Sequence, residues 1–413
     1  MKRRVVVTGL GVVSPLGNTV GETWEGLLAG LSGAAPIRRF DPSNLDVRFG
    51  CEVKNFDPLK FIDKKEARRY DQFLQYAIAA ATEATCDAGF NGTLSEPERT
   101  GIIIGSGIGG IGTFEEQCKI FLQQGPSRVS VFFVPMFIPD IASGIMSIRL
   151  GAKGPNYCTV SACASSAHAI GESYRIIQRG EADVMITGGA ESAITPLAIA
   201  GFSNMKALSA RNDAPEKASR PFDKHRDGFV MGDGSGIVIL ELLEHALDRG
   251  VRIHAEIVGY GMSADAYHIT QPAPGGEGAK RAMLACLADG NLNPADVGYI
   301  NAHGTSTPAG DVAEVKAAKE VFGDHAEKLV MGSTKSMTGH LLGAAGGLEF
   351  AITVLVLRHG EIPPTINQDD LDPECDLDCA PNRKVTRRVD VALSNSFGFG
   401  GHNASLAVRR YEA

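Results

Sequence analysis

Apolar positions along the chain follow two alternating rhythms. Short continuous runs, Val5-Val6-Val7 and Ile102-Ile103-Ile104 among them, have the length and β-branched content of buried strands. Between such runs, apolar residues return at helical spacing, as at Phe73, Ala77, Ala80 and Ala84 before the break at Asp87-Ala88-Gly89. Laid against itself, the chain repeats this plan. A strand over 4–9 has its counterpart over 255–259, and the helix through Phe73 has one over 279–287. The strand over 101–105 with its glycine loop corresponds to 298–301 and the loop at His303-Gly304. A strand over 157–161, running at once into a helix through Ile170, Tyr174 and Ile177, corresponds to 329–333 and the helix over 343–357. Gly180 and Gly360 are the matching helix caps. Each half closes with a strand pair, 183–188 with 236–242 and 389–395 with 404–409. This alternation implies mostly parallel sheets covered on both faces. The pattern predicts an α/β protein of two related halves, residues 1–250 and 251–413.

Composition narrows the class. With 44% hydrophobic and 21% charged residues, the signature of disorder is absent. No apolar run nears the ~18 residues of a membrane span, and 351–357 reads as a buried strand or helix face. The basic start Met1-Lys2-Arg3-Arg4 before Val5 superficially resembles a secretory signal. Thr8, Gly9 and Gly11 interrupt it, so it reads as the first strand of a cytoplasmic protein. A net charge of −8 gives no global attraction to nucleic acid or membrane. The eight cysteines are scattered and read as reduced thiols. Cys375 and Cys379 have no partner at zinc spacing, and neither a metal site nor a cofactor is expected.

The 49 glycines cluster in runs that mark tight turns, and unusual side chains stand beside them at strand-to-helix turns. Cys163 lies in Val160-Ser161-Ala162-Cys163-Ala164-Ser165-Ser166, where a strand ends and a helix begins. Free N–H groups and the helix dipole there should favour thiolate over thiol. The plain alternative is a small buried core cysteine. His303 stands in Asn301-Ala302-His303-Gly304-Thr305-Ser306-Thr307, and His340 ends Lys335-Ser336-Met337-Thr338-Gly339-His340. A lone histidine is usually structural, but a cysteine and two histidines at equivalent loops of a repeat form a catalytic constellation. A fourth stretch is Phe397-Gly398-Phe399-Gly400-Gly401-His402-Asn403.

Together these motifs resemble those of the β-ketoacyl-acyl carrier protein synthases, the condensing enzymes of fatty-acid synthesis, and are most similar to the elongating synthase II type. The resemblance runs from Val5-Val6-Val7-Thr8-Gly9-Leu10-Gly11 to the final Phe-Gly-Phe-Gly-Gly. It implies a thiolase-like fold, with duplicated α/β halves in five α-β-α-β-α layers, and a homodimer. It implies acyl transfer to Cys163 and decarboxylative condensation with a malonyl carrier protein. His303 and His340 would then donate to the malonyl thioester oxygen. The N–H groups of Cys163 and Phe399 match the family's oxyanion hole, and Phe399 also resembles its gate. Lys335, paired with Glu349, would set the field near His340.

The resemblance extends to further positions. Thr305, Thr307 and, more weakly, Thr270 match contacts to the pantetheine arm. Ile108 matches the far end of the acyl pocket, Phe133 and Ile138 match pocket or dimer positions, and Phe202 joins the substrate-binding set. Ordinary core packing is the alternative for Ile108, Phe133 and Ile138. Lys64, Lys65, Arg68 and Arg69 fall on one helix face and, with Arg128 and Lys206, would dock an acidic carrier protein. A structural cation near Asn301, Glu349, Ser394 and Asn395 is left open. His402 replaces the threonine often found there.

The rivals are weaker. A thiolase would need a second cysteine where Ser396 stands, and a silent chain-length factor would lack Cys163. A hydride-transfer enzyme built on the glycines of 105–110 would need an acidic ribose ligand that is missing at the expected distance. A stand-alone polyketide-type ketosynthase remains the alternative.

Overall fold

The computed structural model describes residues 3–90, 92 and 94–412, so Met1 and Lys2 of the basic start lie outside the described residues. Ten strands form the main sheet. The first half supplies β1 (Val5–Val13), β2 (Thr100–Gly105), β3 (Asn156–Tyr157), β4 (Val184–Glu191) and β5 (Gly234–Leu242). The second supplies β6 (Ala255–Ala264), β7 (Val297–Asn301), β8 (Val330–Gly332), β9 (Val391–Gly398) and β10 (His402–Arg409). Their order is β8-β7-β9-β10-β6-β1-β5-β4-β2-β3.

Counted within each half, that order is third, second, fourth, fifth, first. The directions also match. The third strand pairs parallel with the second and the second with the fourth, whereas fourth with fifth and fifth with first are antiparallel. The halves meet where β1 pairs antiparallel with β6 at Val5↔Ile257, Val6↔Glu256 and Val7↔Ala255. The expectation of mostly parallel sheets is thereby corrected. A strand buried on both faces reads as the same apolar run in either direction, so the pattern carried no information on the returning fifth strand.

Helix Gln72–Asp87 covers β1, β5 and β4 on one outer face, and Glu277–Asp289 covers β6 and β10 on the other. Helices Ser165–Arg179 and Ala345–His359 each touch strands of both halves, so they form the middle of five layers. Every residue from Ala345 to Leu357 is buried. That all-round burial explains why 342–359 reaches a mean hydropathy of 1.3, while 89% of it lies inside the protein. Among the described residues this one helix is long and apolar enough by length and composition to cross a membrane, but Glu349 and Arg358 interrupt it and its burial is that of a core helix. Val238 and Leu240 of β5 share one core cluster with Ile352 and Val356 of the middle layer and Leu406 and Val408 of β10.

The strand expected over 157–161 is shorter than its apolar pattern suggested. Only Asn156–Tyr157 pairs in the sheet. Beyond it the chain leaves the ladder, held by Ser143 Oγ donating to the Tyr157 carbonyl and Thr159 Oγ1 donating to that of Ser165. All eight cysteines are free thiols.

Candidate active site

Cys163 sits in a single 3-10 turn, Ala162–Ala164, two residues ahead of Ser165, where the helix starts. Ala162 takes φ +51°, a left-handed conformation that costs an L-residue ~1–2 kcal/mol. The Ser165 hydroxyl clips this turn by accepting from the Ser161 N–H at 2.9 Å and donating to the Ala162 carbonyl at 2.7 Å. From the other half, the end of β9 presses Gly398 against the turn. A Cβ there would lie 2.7 Å from the Ser161 carbonyl oxygen and 3.0 Å from the Cys163 nitrogen, so only glycine permits the approach. The backbone N–H groups of Phe399 and of Cys163 both act on the sulfur. Two donors converging there would stabilise an oxyanion on a carbon bonded to it.

The expected preference for thiolate is not found. Burial pushes the Cys163 thiol up to about 12, outweighing the Lys335 charge and both N–H groups. Its position ahead of the helix, in an apolar pocket, is the physical reason.

His303 follows β7 in a loop fastened by Glu314. That carboxylate accepts from the His303 N–H at 2.9 Å and the Gly304 N–H at 2.8 Å. It also accepts from Asn395 Nδ2 at 3.2 Å, and Asn395 Oδ1 accepts from Ser405 Oγ. His340 is held by its N–H donating to the Val230 carbonyl at 2.7 Å. The two rings stand edge to face, with centroids 5.3 Å apart. Phe229 lies 5.3 Å from His340 and Phe397 5.8 Å from His303. Burial first, then the Lys335 charge, holds both imidazoles well below the usual histidine range, so they are neutral. No protein group takes the Nδ1 atom of either ring.

Lys335 and Glu349 form a buried ion pair, and burial raises the Glu349 carboxyl to about 7. Of the residues associated with a structural cation, Asn301 Oδ1 and Glu349 Oε2 are buried without a partner, whereas both side-chain polar atoms of Asn395 are spent. Among the described residues, no group of three or more His, Cys, Asp or Glu side chains could hold a metal ion.

A cleft of about 360 Å³ brings Cys163, His303, His340 and Phe399 together. Thr305, Thr307, Thr270, Lys206 and Phe202 also line it, and the hydroxyls of Thr305 and Thr307 lie 3.1 Å apart. Ile108 is not in this cleft lining but joins the apolar cluster that holds Cys163. Phe133 and Ile138 are not brought to the cleft either. Phe133 stacks with Phe137 at 5.8 Å, and Ile138 follows that short helix. Lys64, Lys65, Arg68 and Arg128 are exposed, whereas Arg69 is half-buried with its guanidinium 4.4 Å over the Phe132 ring. His402 is exposed, its ring against Gly400.

Sequence reasoning missed Glu314 as the fastener of the His303 loop. The signal was present. Asp311, Glu314 and Ala318 share one buried face of helix Pro308–Phe322, so two carboxylates occupy an otherwise apolar stripe.

The beta-ketoacyl synthase N-terminal domain family matches residues 2–246, and its C-terminal counterpart matches residues 254–369. A 3-oxoacyl-acyl-carrier-protein synthase 2 of Synechocystis sp. is 55% identical over 411 residues, covering 100% of this chain and 99% of that one. A beta-ketoacyl synthase from Burkholderia phymatum superposes with TM-score 0.92 at 37% identity, with both chains covered 100%. A type II polyketide ketosynthase, solved with its acyl-carrier protein and a bound hexaketide, gives TM-score 0.91 at 33% identity, again with 100% of both chains covered. The fold is thus that of the thiolase-like ketosynthases. The chain belongs to the beta-ketoacyl synthase family and is a condensing enzyme.

Proposed function

We propose that this chain lengthens fatty acyl groups on acyl carrier protein by two carbons, acting as a 3-oxoacyl-acyl-carrier-protein synthase. The observation that carries the reading is one cleft holding a thiol under two backbone N–H groups beside two neutral imidazoles. Cys163 Sγ attacks the carbonyl carbon of an acyl thioester and gives up its proton, for which the neutral imidazoles are the available acceptors. The tetrahedral oxygen rests on the N–H groups of Cys163 and Phe399, and the carrier thiol leaves protonated. Malonyl carrier protein then replaces it. Its bond to the carboxylate carbon breaks, carbon dioxide departs, and the electron pair spreads onto the thioester oxygen, where His303 and His340 donate. The carbanion attacks the acyl carbonyl, a carbon–carbon bond forms, and the Cys163 sulfur leaves as thiolate and takes up one proton from solvent, the net proton consumed in each turnover. Burial, reinforced by the Lys335 charge, keeps both rings neutral at rest, so that each retains one N–H donor. Thr305, Thr307 and Thr270 line the side from which the pantetheine arm enters. The greater identity to the fatty-acid relative than to the polyketide ketosynthase favours fatty acyl substrates.

Two surfaces complete the proposal. The first is the helix Lys64–Arg69, whose Lys64, Lys65 and Arg68 project into solvent. The intervening Glu66 is engaged by Arg149 at 3.2 Å, so it does not cancel them. With Arg128 and Lys206, this helix is read as the carrier-protein dock, supported by the ketosynthase solved with its acyl-carrier protein. Reversing Lys65 and Arg68 to Glu is expected to raise KM for carrier-bound substrates at least about tenfold while leaving small thioesters unaffected. The parent's carrier affinity is expected to fall as salt rises, because exposed charges are screened beyond ~10 Å at 0.1 M. Equal effects on both substrate types would move the dock elsewhere.

The second surface is apolar and lies in the first half, where Leu122, Val131, Ile148 and Val160 are 81%, 87%, 77% and 58% exposed and Val160 follows the edge strand β3. Such an apolar face at an open edge fits a second copy of the chain, and Phe133 and Ile138 lie on this side of the first half. The two halves divide near residue 250, where Gly250 caps helix Leu243–Arg249 ahead of β6. The free thiols fit a reducing cytoplasm. Native mass spectrometry of the protein incubated with acyl carriers of several lengths tests the whole reading. It is expected to show a dimer, with acyl mass on the Cys163 peptide. A monomer would remove the homodimer, and an unmodified Cys163 would remove the reaction.

A further inference from the structure

Against the nucleophile turn lies a fully buried carboxylate that the reaction above leaves unused. Glu191 ends β4, and neutral donors hold it. Its Oε2 accepts from the Gly107 N–H at 2.6 Å and the Gly343 N–H at 3.0 Å. Its Oε1 accepts from the Ser106 hydroxyl at 2.9 Å and the Ile108 N–H at 3.2 Å. Ser106 Oγ in turn accepts from the Gly109 N–H at 3.1 Å. One side chain therefore ties together the glycine loop after β2 and the turn after His340. This also removes the glycine loop as a phosphate cradle, since its N–H groups are already spent.

The duplication of the fold shows what this arrangement is. Ala162 and Leu342 have φ +51° and +47°. Each opens a 3-10 turn, Ala162–Ala164 or Leu342–Ala344, that leads into a helix of 15 residues. Gly343 is therefore the topological counterpart of Cys163. The Cys163 N–H faces the reacting sulfur, whereas the Gly343 N–H is spent on Glu191. The second turn is an anion hole that the protein fills with its own carboxylate. Gly343 has no room for a side chain, because a Cβ would lie 2.1 Å from the Gly107 nitrogen and 2.6 Å from Glu191 Oε2.

The two segments gripped by Glu191 carry Ile108 and Leu342, and both side chains pack in the apolar cluster that contains Cys163. We propose that Glu191 is a positioning residue that fixes Ile108 and Leu342 relative to each other and so sets how sharply the acyl pocket discriminates chain length. This rests on the reading of Cys163 as the acyl-accepting thiol. Both oxygens of Glu191 act as acceptors, for four donors between them, and a neutral amide cannot hold that backbone geometry, since Gln would turn an NH₂ toward N–H groups.

The test is competitive loading of Cys163 from short and long acyl carriers, read by mass spectrometry, in the parent and in Glu191→Gln. The ratio between the best and poorest chain length is expected to fall at least about tenfold, the loss of one to two charge-assisted hydrogen bonds. Malonyl decarboxylation by the same variant should stay near the parent rate, because His303 and His340 are anchored elsewhere. Ser106→Ala, which removes one donor and the link to Gly109, should relax the ratio in the same sense but less, and serves where Glu191→Gln does not fold. An unchanged length profile in a folded variant would overturn the inference. So would an equal loss at all lengths together with decarboxylation. Absence of acyl on the parent's Cys163 would overturn the condensing reading and this inference with it.

Discussion

Cys163→Ala is expected to yield a folded protein that still decarboxylates malonyl carrier but forms no ketoacyl product. The two activities separate because they use different groups. Condensation needs a sulfur to hold the acyl chain as a thioester, and alanine offers none. Removing a covalent nucleophile costs on the order of 10⁴-fold or more in comparable enzymes, so product should fall below detection. Decarboxylation needs only donors to the malonyl thioester oxygen, and His303 and His340 are anchored by Glu314 and the Val230 carbonyl rather than by the thiol. The substitution is also structurally mild. Cys163 already lies between Ala162 and Ala164, and losing its one sulfur from an apolar site costs about 1 kcal/mol. That lowers Tm by only a few degrees, ~2–4 °C for a domain of about 150–250 residues. The measurements are product formation from acyl and malonyl carriers, carbon dioxide release from malonyl carrier alone, and thermal unfolding. Ketoacyl product at the parent rate would dismiss Cys163 as the nucleophile. Loss of decarboxylation in parallel would mean that the thiol also positions the malonyl group.

That Cys163, His303 and His340 share one cleft was legible because each stands among small, glycine and hydroxyl residues at equivalent turns of the repeat. What tertiary burial decides was not legible. The flanking sequence of Cys163 suggested a helix dipole acting on the sulfur, yet the helix starts at Ser165 and desolvation dominates. Glu191 was invisible for the opposite reason. A carboxylate in a sequence reads as solvated, and only the fold shows that backbone N–H groups from distant loops converge on it. The repeat was legible as a pattern of runs, and the strand order within each half confirms it as topology. Strand direction was not, since an apolar run does not say which way it travels. In the basic run 64–69, spacing located the helix, but the docking of Arg69 on Phe132 depended on a neighbour more than sixty residues away.

His303→Ala and His340→Ala are each expected to suppress malonyl decarboxylation about a hundredfold or more, since each deletes one donor to an oxyanion in a buried site. Both rings are buried, both lie under the Lys335 charge, and neither Nδ1 has a protein partner. They are built to donate while neutral. The sign of the pH dependence follows. A histidine held well below its usual range stays neutral as pH falls through that range, so the decarboxylation rate should show no inflection from these groups between about pH 8 and 6. The activity they support is lost only at lower pH, once the depressed values are reached and the rings protonate. An ordinary histidine acting as base would instead bring the rate down with a midpoint near ~6.5. Lys335→Met separates the two readings further. Removing the charge lets both imidazoles titrate at higher pH and should move the acid limb of the decarboxylation profile upward. The checks are carbon dioxide release from malonyl carrier across pH for the parent and the Lys335 variant, and at one pH for the histidine variants. Parent-rate decarboxylation in both alanine variants would end the paired-donor mechanism. A parent profile with its midpoint at the ordinary histidine value would show that the burial around these rings does not govern their protonation.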